Sequence, residues 1–155
     1  MNSLNNISQT LITLEVGKTQ VLFILLAEDG SINRKGDGRP DCNDNNFFIG
    51  ITKDKLFEQL KPFINEEMQD FLGKSFDIPE KKGRVCNLKI LFKSGESETG
   101  VQFYYGEFSQ GPPTVFRNFT IKAIELTENW YQQQKQMILK SKPKETNTKP
   151  WWKLW

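Results

Sequence analysis

Histidine does not occur anywhere in the 155 residues. Its absence removes the usual general base near neutral pH, the Ser-His and Cys-His nucleophile pairs, and the commonest metal ligand. The expectation is a non-enzymatic protein, with no catalytic residue, no cofactor and no metal ligand assigned. Cysteine is almost as scarce. Cys42, in a polar loop, and Cys86, in an expected strand, are too few for a disulfide framework. Two reduced thiols in a cytoplasmic protein is the simpler reading, and a single bridge is the alternative. Long apolar runs are also missing: the longest, VLFILLA from Val21 to Ala27, falls far short of the roughly 20 residues a membrane-spanning helix requires. The opening MNSLNNISQT has no basic region followed by an apolar segment, so no secretory signal is expected. Neither a P-loop nor a dinucleotide-binding glycine pattern is present.

What is present fits one ordinary globular domain. The chain is 37% hydrophobic and 26% charged, a balance that favours a packed core over disorder. Its net charge of +2 conceals an asymmetry. Residues 1–130 hold 15 Lys/Arg against 18 Asp/Glu, a net of −3, whereas residues 131–155 hold six lysines against one glutamate, a net of +5. Three of the four tryptophans fall in the terminal KPWWKLW. The expected organisation is a single domain over 1–140 and a basic, Trp-rich tail over 141–155.

Periodicity gives the elements. TLITLEV alternates Ile12, Leu14 and Val16 against Thr13 and Glu15, as a half-buried strand does. Gly17-Lys18 offers a hairpin turn into TQVLFILLAE, whose continuous apolarity implies a central strand covered on both faces. GSINRKGDGRPDCNDNN, residues 30–46, is dominated by turn-forming residues and is expected to be a long loop. FFIGI, Phe47 to Ile51, suits a short strand. Lys53 to Leu72 carries one apolar helical face, interrupted by Pro62, which implies a kink or two short helices. After a polar stretch over 74–83, Arg84–Lys93 and Val101–Glu107 read as a hairpin. Thr114 to Leu126 suits a helix behind Pro113, and Thr127 reads as the N-cap of a second helix. The resulting fold class is α+β: an antiparallel sheet of about 4–5 strands, helices mainly on one face, built as two successive hairpin-plus-helix units.

Each candidate site has a simpler competitor. Asp41, Asn43 and Asn45 match the first ligand spacings of a calcium loop, but Asn46 and Thr52 stand where that loop needs Gly and Glu. Arg34, Lys35, Arg39 and Asp41 form the candidate ligand loop, where Gly36 and Gly38 are more simply backbone freedom in a bend. A small-ligand or enzymatic module would draw on loops 30–46 and 109–113, with Asp29, Tyr105 and Glu107 nearby. Tyr104 and Phe108 beside Lys89 and Lys93 suggest a stacking platform for single strands. The acidic body opposes nucleic acid, and cross-strand packing explains the same residues.

The favoured expectation is a small intracellular protein-interaction protein, with a bacterial immunity or antitoxin-like inhibitor as an example. Trp151, Trp152, Trp155 and Lys153 are the candidate partner-binding residues, because tryptophan buries much area with few torsions. Its partner is another protein or a second copy. The alternative is weak membrane-surface or nucleic-acid binding through the Lys/Trp tail, which would bring at most peripheral membrane contact. The half-covered sheet behind Val21–Leu26 is the first candidate for the surface that the tail covers.

Overall fold

A computed structural model describes residues 4–41 and 46–141. The chain is α+β. Among the described residues one sheet has seven strands: β1 (Gln9–Val16), β2 (Thr19–Ala27), β3 (Ser31–Lys35), β4 (Phe47–Ile51), β5 (Lys74–Asp77), β6 (Val85–Ser94) and β7 (Ser97–Gly106). They lie in the order β4-β3-β2-β1-β6-β7-β5. All neighbours are antiparallel except β5, which runs parallel to β7. The sheet is thus larger and more mixed than the expected 4–5 antiparallel strands.

The two unexpected strands have identifiable causes. β3 lies inside the segment 30–46 expected as a loop. SINRK alternates after all, but one of its two inward residues is Arg34, whose charge disguises the pattern. β5 arises in the polar stretch, where Phe76 alone faces inward and stacks on Phe103 with ring centroids 5.4 Å apart. The expected turns hold. Gly36 has φ 70°, and a Cβ there would come within 2.1 Å of the Val21 carbonyl oxygen, so only glycine fits.

Short helical pieces fill 56–71: α1 (Leu56–Leu60), a 3₁₀ turn at Lys61–Phe63 around Pro62, and another at Glu66–Phe71. Pro62 breaks the helix as its missing N–H dictates. The Asn65 side chain caps the last turn, accepting from the Glu67 N–H at 2.9 Å. α2 (Thr114–Ser141) is one continuous helix of 28 residues, where two helices were expected. Thr127 is not an N-cap. Its hydroxyl, fully buried, donates back to the Ala123 carbonyl at 2.7 Å, a bond available to threonine inside a helix.

The core lies between one sheet face and these helices. Ile12, Leu22, Ile24, Leu26, Leu88, Ile90, Phe92, Val101 and Phe103 point to it at every second position. Leu56, Phe57, Leu60, Met68, Phe116, Phe119, Ala123 and Trp130 meet them from the helical layer. α2 crosses the sheet obliquely: Phe116 packs on Phe103 at 5.0 Å, Phe119 on Phe92 at 5.6 Å, and Trp130 meets Phe48 of β4 at 6.5 Å. Among the described residues no helix is long and apolar enough to cross a membrane.

Candidate interaction surface

The loop residues singled out in the sequence do not converge. Arg34 is completely buried on the helical side of β3. Its Nε donates to the Gly36 carbonyl at 2.8 Å; Nη1 donates to Thr127 Oγ1 at 2.9 Å and the Ile124 carbonyl at 3.2 Å; Nη2 donates to Glu128 Oε2 at 2.9 Å. The guanidinium also lies 4.4 Å from the centre of the Tyr131 ring. Arg34 therefore ties β3 to α2, and its donors are committed within the protein. Burial pushes the Glu128 carboxyl upward, but hydrogen bonds from Gln132 and Arg34 outweigh it and hold the carboxyl below the ordinary range.

Lys35 stands at the end of β3, directly across from Phe23 and Phe47, on the sheet face away from α2. Arg39 pairs with Asp37 at 2.6 Å near the surface. Asp41 is exposed, with the Arg84 guanidinium 3.8 Å away. Arg84 makes its closer, two-pronged contact with Glu107, at 2.9 and 2.7 Å, and that hydrogen bonding lowers the Glu107 carboxyl. Burial drives the Tyr105 hydroxyl up to about 12, so it stays protonated at neutral pH. Burial likewise raises the Cys86 thiol. Asp29 accepts the Ser31 N–H at 2.8 Å in a turn, and this bond lowers its carboxyl. Among the described residues no group of three acidic, cysteine or histidine side chains could hold a metal ion. Cys42, Asn43, Asn45, Trp151, Trp152, Lys153 and Trp155 lie outside the described residues.

The side of the sheet turned away from the helices carries a different signal. The strand registers align Ile49, Asn33, Leu25, Leu11, Leu91 and Gly100 in one row across six strands. The next row runs Phe47, Lys35, Phe23, Thr13, Lys89 and Gln102. Leu11, Phe23, Leu25 and Leu91 belong to neither buried cluster. No described helix covers them, although the apolar run of β2 implied cover on both faces. Phe23 and Phe47 pack together with centroids 5.1 Å apart. Gly100 leaves room for Leu91, whose Cδ2 would lie 2.3 Å from a Cβ built there. The row ends on β4, where Ile49 is 73% exposed, Ile51 77% and Phe47 42%.

β4 is also an edge: among the described residues only β3 pairs with it. Large, uncharged, exposed side chains on an unpaired edge are what soluble proteins usually avoid. Above this edge α2 continues after Trp130, which sits so close to β4 that a Cβ on Gly50 would lie 2.9 Å from its ring. Met137 and Leu139, 60% and 70% exposed, lie on that continuation. FFIGI is legible as a strand in the sequence, but its edge position is not, because that depends on β3. Alternation at Leu11 and Leu25 was the available signal, masked by the apolar residues between them.

Compared with known proteins, the chain matches no protein-family model and no curated sequence.

Proposed function

We propose that this chain is a non-catalytic protein-interaction protein that receives its partner on the helix-free face of the sheet. The observation that supports this most is the row Ile49–Asn33–Leu25–Leu11–Leu91, apolar but for Asn33, which crosses the sheet outside the core. Leu25, Leu11 and Leu91 are direct neighbours on it, and a contiguous apolar patch on a folded domain marks association. The rim suits that role: Lys35, Lys89, Lys93 and Glu98 flank the row, giving polar edges of both signs around an apolar centre. Candidate chemical groups elsewhere are engaged with one another, Arg34 with α2 and Arg84 with Glu107. A cytoplasmic inhibitor of the immunity or antitoxin type, covering an enzyme with a flat sheet face, is the specific form we favour.

Photo-crosslinking tests the reading. A photoreactive residue replacing Leu25 should yield a discrete protein adduct in cells of the source organism, whereas one replacing Glu125, on the exposed side of α2, should not. Adducts only from position 125, or only with lipid or nucleic acid, would refute it.

A further inference from the structure

We infer that the segment 151–155, WWKLW, docks in cis on the outer edge of β4 as an eighth strand, beneath the overhanging end of α2. The site has two walls. One is β4, five residues long, without charge or proline, its outer edge unpaired among the described residues. The other is α2, which passes over β4 at Trp130 and runs on over residues 131–141. At about 1.5 Å per residue that overhang is roughly 16 Å long. On its sheet-facing side, seven residues beyond Trp130, it presents Met137, which is 60% exposed.

Length and chemistry favour the chain's own segment as occupant. From residue 141 to residue 151 the chain can span about 33 Å when extended, roughly twice the overhang, so it can return to the edge it has just passed. WWKLW matches β4 in length, and tryptophan suits strands. Alternation then fixes the faces. Lys153 belongs on the open side, where its amine reaches water, which sets Trp151 and Trp155 beside Ile49 and Ile51. Trp152 and Leu154 consequently lie on the side of Phe48 and the α2 overhang. Docked so, the segment conceals the most exposed isoleucines and extends the open face with two indoles. The inference stands on the edge geometry and does not require the proposed function; the two tests share no residue.

Disulfide trapping in the full-length chain decides it, with Cys42→Ser and Cys86→Ala as background. Lys153→Cys is combined in turn with Phe47→Cys, Ile49→Cys and Ile51→Cys, and with Ser75→Cys on the opposite edge as control. An intrachain bridge should form at one or more β4 positions at least about tenfold faster than at position 75, because bridging demands Cα atoms within about 7 Å. Equal rates at both edges, no bridge at any β4 position, or bridges only between chains would each overturn the inference.

Discussion

At one edge of the sheet, β4 offers five uncharged residues, three of them aromatic or branched and turned to solvent. At the other, β5 is only four residues long, with Lys74, Ser75 and Asp77 exposed and Lys81 paired to Asp77. The β5 edge is guarded in the manner of proteins that avoid strand pairing, being short and charged, with Pro79 following. The β4 edge has none of these protections. The interior supports differ as well. Near β5, aromatic packing joins Phe71, Phe76, Phe103 and Phe116. Near β4, Phe48 packs on Trp130 and Tyr131, and a polar bolt is added: one buried arginine tied to α2. An edge meant to accept another strand needs a rigid inner neighbour, and Arg34 gives β3 that rigidity.

Removing the polar bolt should have the largest effect. Arg34→Met removes the buried donors to Thr127, the Ile124 and Gly36 carbonyls and Glu128, and should cost about 3 kcal/mol in denaturant unfolding. A loss below about 1 kcal/mol would show that the β4 end is held by something else. Phe76→Ala, at the guarded edge, should cost about 2 kcal/mol, less than full burial would imply because Phe76 is only half-buried. Gly50→Ala forces a methyl against Trp130 and should cost about 1–2 kcal/mol, the overpacking range.

Acid should loosen the tie at the β4 end, as it should the Arg84–Glu107 pair elsewhere. The Glu128 carboxyl lies lower in the folded than in the unfolded chain. Its stabilisation is therefore present above the unfolded value and is lost as pH falls through the folded one. Since the Glu128 side chain is 43% exposed, the loss should stay below about 1 kcal/mol. Glu128→Gln should flatten the stability–pH curve in that acid window. Smallest of all, Lys81→Met at the β5 edge should change stability by less than about 0.5 kcal/mol, as exposed pairs do.

The legible part of this fold was wherever side chains alternate cleanly. β1, β6 and β7 show it, with Ile12, Leu88 and Phe103 inward, and so does the broken helix around Pro62. β3 was hidden because its inward residue is a charged Arg34 whose partners are some 90 positions away in sequence. β5 was hidden because a single phenylalanine carries its burial. Thr127 misled because threonine bonds a helix start and a helix interior equally well. The open face needed β3 to be visible first, since only β3 places Ile49 and Ile51 at an edge rather than under a neighbour. The candidate loop residues were chosen for charge, and charge here mostly meets its counterpart inside the chain.

Backbone amide exchange, comparing 47–51 with 74–77 in the full-length chain, tests the contrast between the edges most directly. The β4 amides facing away from β3 should be protected, alongside those of 151–155, while amides on the outer side of β5 should exchange freely. Equal, rapid exchange at both outer edges would contradict that contrast.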